Sequence, residues 1–150
     1  MNVTRRVFHG AVFILLVHED QVLVLRRANT GYRDGQYTVP AGHLEGNETA
    51  IAAAIREAKE EVNVTIATED AMVVGIMHRG PEADQDFEYV DFYVLARCWA
   101  GDPTNNEPEK CDDVRWAPMD RLPASTIPYI ARAIRHGTHA MWFDTYDLPA

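Results

Sequence analysis

Residues 42–64 constrain the fold of this chain most strongly, because they must form a helix with two unlike faces. Ile51, Ala54, Ile55, Ala58 and Val62 recur at three- and four-residue steps, which on a 3.6-residue helix makes a single apolar stripe. Glu57, Glu60 and Glu61 follow the same steps and fall within a sector of roughly 100° beside that stripe. One face must therefore pack on another layer while its neighbour carries acid. Asn47 or Thr49 is placed to cap the start, and Glu48 falls in the first turn, where the helix dipole favours negative charge. Gly42 supplies a turn ahead of them, and Asn63, which tolerates left-handed backbone angles, ends the helix.

The acid is the functional signal. Like charges at this spacing weaken an isolated helix by roughly a few tenths of a kcal/mol per pair. A divalent cation would relieve them, and hard carboxylate oxygens suit Mg²⁺ or Mn²⁺.

Taken in order, Gly42, Glu48, Arg56, Glu57, Ala58, Glu60, Glu61 and Val64 resemble the box of the Nudix hydrolase family, in its MutT-like branch. Asn63 stands where the family usually has glycine. Asparagine is the next best residue for a left-handed cap, so the helix end and catalysis are expected to survive. The resemblance implies an α/β fold, a Nudix-type α/β/α sandwich with a mixed β-sheet between helices. It implies hydrolysis of a nucleoside diphosphate linked to another moiety, by attack of a Mg²⁺-activated water on phosphorus. The carbonyl of Gly42 and the side chains of Glu57, Glu60 and Glu61 would hold metal, with the general base one of these three glutamates. Arg56 would orient them by ion pairing.

A further metal ligand comes from outside the box in the MutT-like branch, four residues beyond the proline of a Trp-x-Gly-acid-Pro run. The run Trp99–Pro103 places Glu107 there, with Glu109, Asp112 and Asp113 as competitors. Arg27 falls on the position of a phosphate-contacting arginine, Arg26 adjoins it, and Arg33 lies in a nearby glycine-containing loop. Val39 occupies a place where guanine-specific members carry an aromatic, which argues against strict cleansing of oxidised guanine. Tyr37, Tyr89, Asp91 and Tyr93 are candidates to stack on or hydrogen-bond a base. His43, His78 and Arg79 read as polar residues near strand ends or the glycine turn, the two histidines at the surface.

Within the implied class, a nucleoside triphosphate, ordinary or modified, cut to nucleoside monophosphate and pyrophosphate is the expected reaction. The alternative of ADP-ribose or a nucleotide sugar goes with an N-terminal extension, whereas this chain begins almost at its first strand. Non-catalytic nucleotide-binding relatives usually lack a catalytic glutamate, and here all three are present.

With 47% hydrophobic residues over 150, the chain fits one domain, residues 1–150, as a monomer or homodimer. The net charge of −9 argues against binding a nucleic-acid polymer, which calls for a basic surface, but leaves room for a small nucleotide held locally. Arg5-Arg6 and the apolar run after them superficially resemble a signal peptide. His9 and Gly10 interrupt that run and no small-residue cleavage site follows, so a core strand is expected. No stretch is long enough to span a membrane. Cys98 and Cys111 lack metal-ligand spacing and fit reduced thiols in a cytoplasmic protein.

Strands are expected at 7–17 and 22–27, paired through a tight turn, then a loop at 30–36 and a short strand at 37–40. Further strands are expected at 72–77, 87–99 and 114–117, with a long acidic loop at 100–113 and a helix at 127–136. In 87–99 the even positions are apolar and the odd ones mixed, so one face should meet the core and the other something wetter, such as a pocket.

Overall fold

The structure is a computed structural model and describes residues 5–83 and 85–149. Its centre is β1 (Phe8–His18), whose near-continuous apolar run is explained by burial on both faces. Val12, Ile14 and Leu16 enter one core, and Ala11, Phe13, Leu15 and Val17 enter the other. β2 (Gln21–Arg27) pairs antiparallel with β1 through a tight turn, with Val17 opposite Val22.

Two very short strands follow, β3 (Tyr37–Thr38) on β2 and β4 (Ala41–His43) on β1. Helix α1 (Ala50–Val62) comes next, then β5 (Ala71–Arg79) and β6 (Glu88–Ala96), an antiparallel pair in which β6 runs parallel to β1. β7 (Cys111–Pro118) returns to β2, helix α2 (Pro128–Arg135) crosses the opposite face, and β8 (Trp142–Tyr146) adds to β5 in parallel. The sheet order is β3-β2-β1-β6-β5-β8, with β4 joined to β1 and β7 to β2.

The apolar face of α1 (Ala53, Ala54, Ala58, Val62) fills one core, and α2 (Tyr129, Ile130, Ala133, Ile134) fills the other. This is the expected mixed sheet with a helix on each face. Among the described residues, no helix is long and apolar enough to cross a membrane.

Several local expectations are corrected. Gly42 lies in strand β4, not in a turn; the turn falls at Gly46-Asn47, where Asn47 takes a left-handed φ of 64°. Thr49, not Asn47, is the N-cap, its hydroxyl accepting from the Ala52 N–H at 3.1 Å. Glu48 therefore precedes the helix instead of occupying its first turn. Asn63 does adopt the left-handed cap, at φ 58° and ψ 35°.

The strand expected at 114–117 starts at Cys111, because its first residues pair with Arg26 and Arg27 across a bulge. On β6 the odd residues Tyr89, Asp91 and Tyr93 are the more buried set. Helix α2 packs against Tyr89 and Tyr93 of this face, which meets a pocket at Tyr89. β8 was not expected: a five-residue edge strand with Phe143 exposed carries little apolar periodicity.

Candidate active site

The carboxylates of α1 lean onto the backbone of β4. A Cβ at Gly42 would overlap the Glu57 carboxylate, so glycine is needed there for close approach. One step earlier, the Ala41 N–H donates to Glu61 Oε2 at 3.4 Å. Arg56 lies at the centre of the acids. It donates to Glu48 at 2.7 and 3.1 Å, to Glu57 at 2.7 Å, to Glu60 at 3.4 Å and to the His43 carbonyl at 3.2 Å. Glu48 in turn accepts from the Glu45 N–H at 2.7 Å, which fixes the turn ahead of the helix.

The far end of α1 is closed by the loop after Trp99. The last helical carbonyls lack intrahelical partners, and this loop supplies them. The Asn106 side chain donates to Glu60 O at 2.9 Å, Asn106 N to Glu61 O at 3.0 Å and Thr104 N to Val62 O at 3.0 Å. The docking brings Glu107 into the electrostatic range of Glu57 and Glu61. Burial pushes both carboxyls up, and neighbouring acids add to the effect. Glu61 rises to about 8, through burial first and then the charges of Glu57 and Glu107. Glu57 is raised by burial even though Arg56 opposes the shift.

Among the described residues, no three His, Cys, Asp or Glu side chains already converge tightly enough to cage an ion. The chemistry of the donor set nevertheless fits a hard dication. It offers buried oxygens that repel one another's charge, and an added cation would reverse that penalty.

This acid wall is one side of a cleft of about 830 Å³. Arg26, Arg27 and Lys110 stand along the same cleft. Arg27 is held by the Tyr32 carbonyl at 2.7 Å and the Thr30 hydroxyl at 3.1 Å, while Arg26 is drawn to Asp112 at 2.6 Å. Glu107 also lines the cleft, 3.5 Å from Lys110. Aromatic rings line it too, Phe13, Tyr32, Tyr89 and Tyr129 beside His43 and Arg79.

Gly42, Arg56, Glu57, Glu60, Glu61, Glu107, Arg26 and Arg27 thus share one cavity. Five expected substrate residues do not line it: Arg33, Tyr93, which is fully buried, and three more. Val39 is fully buried in the α2-side core. Tyr37 is buried too, its hydroxyl turned to Asp113. Asp91 has no exposed surface and is bound to Arg79. Parity separates Tyr37 from its β3 neighbour Thr38, which does line the cleft: alternate residues of a strand point to opposite faces. Tyr32 and Tyr129 escaped sequence reasoning because a loop and a helix start gave no period to read. Arg79 and His43 read in sequence only as polar residues near element ends, yet both line the cleft.

Comparison with known proteins agrees with this architecture. Residues 7–137 match the model of the NUDIX domain family. A human relative, 8-oxo-dGDP phosphatase NUDT18, is 28% identical over 138 residues. That match covers 91% of this chain and 39% of the relative, so the chain spans well under half its length. The solved MutT Nudix hydrolase of Burkholderia pseudomallei superposes with a TM-score of 0.78 at 21% identity, covering 87% of this chain and 98% of that one. The MutT protein of Bacillus halodurans gives 0.73 at 21% identity, with coverage of 95% and 92%. These two likenesses concern the fold, whereas the family model spans most of the sequence. The chain with the acidic helix, its glycine strand and its docked glutamate loop belongs to the Nudix family.

Proposed function

We propose that this chain is a Mg²⁺-dependent pyrophosphohydrolase that cuts a nucleoside triphosphate, ordinary or modified, to nucleoside monophosphate and pyrophosphate. The observation that carries the reading is one cleft lined by a buried acid cluster, basic side chains and aromatic rings. Each part suits a different piece of such a substrate. Glu57, Glu60, Glu61 and Glu107, with the Gly42 carbonyl, would hold the metal. Bound there, Mg²⁺ supplies charge neutralisation on the phosphates and a more acidic water.

The protein's own contributions follow from the contacts. Arg56 fixes the Glu57 carboxylate against β4, limiting the rotamers it must lose in binding. Arg27 and Lys110 offset phosphate charge within an otherwise acidic molecule. A glutamate of the cluster accepts the proton of the attacking water, and the oxygen of that water forms the new bond to phosphorus as the phosphoanhydride breaks. The aromatic rings accept the ring of the nucleotide. The human relative named as an 8-oxo-dGDP phosphatase supports testing modified diphosphates beside triphosphates.

The test is a nucleotide panel with Mg²⁺ and resolved products, run on wild type, Glu60→Gln and Glu61→Gln. The expected result is release of pyrophosphate and monophosphate by wild type, reduced at least about a hundredfold in one or both variants. A wild-type protein that releases nothing, yet melts at higher temperature with nucleotide bound, would instead be a binding module.

A further inference from the structure

A buried arginine that hydrolysis of the anhydride does not require lines the cleft. Arg79 closes β5 and is only 4% exposed, yet it lines the cavity. Asp91, on the adjacent strand β6, accepts from its Nε at 2.7 Å and its Nη2 at 3.3 Å. Glu82 accepts from Nη1 at 3.2 Å. The rings of Tyr89 and Tyr129 lie 4.2 and 4.3 Å from the guanidinium carbon. Two rings already packed on the group leave little of its face for a third, so a ligand ring must meet it edge-on.

Hydrogen-bond and charge counts say what that edge would accept. A guanidinium has five N–H donors. Three are used by Asp91 and Glu82, and the remaining two, on Nη1 and Nη2, meet no acceptor among the described residues. The charges of Arg79 and Arg33 are matched by those of Asp91 and Glu82, so this cluster carries no surplus to attract another phosphate. Two donors without net charge suit a neutral group with two adjacent acceptors.

We propose that Arg79 determines specificity for the uncleaved end of the nucleotide, taking the ring carbonyl and neighbouring ring nitrogen of a 6-oxopurine. Asp91 is the positioning residue that holds the fork in plane. The proposal rests on the nucleotide reading above and deepens it. A 6-aminopurine would turn an amino donor towards these N–H groups. A bidentate contact of this kind corresponds to discrimination of about tenfold or more.

The experiment measures Kd for GMP and AMP by calorimetry, and kcat and KM for GTP and ATP with Mg²⁺. Wild type is compared with Arg79→Lys, which keeps the charge but loses the fork, and with Arg79→Gln/Asp91→Asn, which leaves no buried charge unpaired. Wild type should favour the oxopurine at least about tenfold in Kd and in KM. Both variants should lose that preference through weaker GMP binding, with the change falling on KM. Either variant, folded by its melting transition, that keeps the preference overturns the proposal, as does wild type that binds the two monophosphates equally or not at all. Absence of hydrolysis alone strikes the catalytic reading, while the GMP to AMP binding ratio still decides this one.

Discussion

A methyl group at position 42 would overlap the Glu57 carboxylate, which rests against the strand backbone at that point. What moves in response is the tip of a flexible side chain, so the strain on the fold is small while the displacement of the carboxylate is large. Gly42→Ala should therefore fold, with a loss of about 1 kcal/mol by thermal denaturation. Activity should fall on the order of a hundredfold, because a misplacement near 1 Å at a reacting centre has that effect. Retained activity with a collapsed melting temperature would mean that the glycine serves packing instead. The sequence named Gly42 but misplaced it, since a glycine near a helix start is read as a turn. Its place in a three-residue strand comes from pairing with Val12 on β1, thirty positions earlier.

Helix α1 shows the same division at the scale of an element. Its apolar stripe, its acidic sector and its left-handed Asn63 cap all follow from residues close together in sequence. The loop that closes it does not. Thr104 and Asn106 reach the last turn through hydrogen bonds to Glu60, Glu61 and Val62, and they carry the adjoining Glu107 with them. Together they gather carboxylates whose mutual repulsion is the strongest mark of a cation site here. Mg²⁺ at a hundredfold excess over its Kd should raise the melting temperature by roughly 5–10 °C. Replacing both Glu57 and Glu61 with Gln should remove that rise, since the two buried carboxyls that would face the cation are gone. A Mg²⁺ response unchanged in the double variant, by differential scanning fluorimetry, would remove the metal assignment.

Across the whole molecule, the last strand is fastened by contacts that span both layers. β8 pairs with β5, Trp142 covers Gly75, and Asp144 reaches back to α2. Arg132 donates to Asp144 at 2.7 and 2.8 Å, and His136 lies 2.7 Å from the same carboxylate. The Arg132 hydrogen bonds hold the Asp144 carboxyl down at about 2, against burial, with His136 and the Thr145 N–H assisting. An unfolded aspartate titrates near ~3.9. The folded state thus binds fewer protons between these values, and the clasp is fully present above ~4 and lost as pH falls through about 2. Asp144→Asn should lower the melting temperature by a few degrees at pH 7, with the difference closing as pH approaches 2. A gap independent of pH would show that the carboxylate charge is not what fastens the strand.

What the sequence determined by itself is what local chemistry can encode: a helix with one packing and one acidic face, two core strands with apolar runs, and the family to which that pattern belongs. Only the tertiary structure decided which polar residues meet in the cleft. Tyr37 sits in a strand position that turns away and Val39, just past that strand, enters the core, while Thr38 between them turns in. Arg79, Tyr32 and Tyr129 are brought to one wall from a strand end, a loop and a helix start that no period connects. The physical reason is that side-chain direction in a short strand or loop is set by register with distant strands. The contacts that fix that register lie tens of residues apart in the chain.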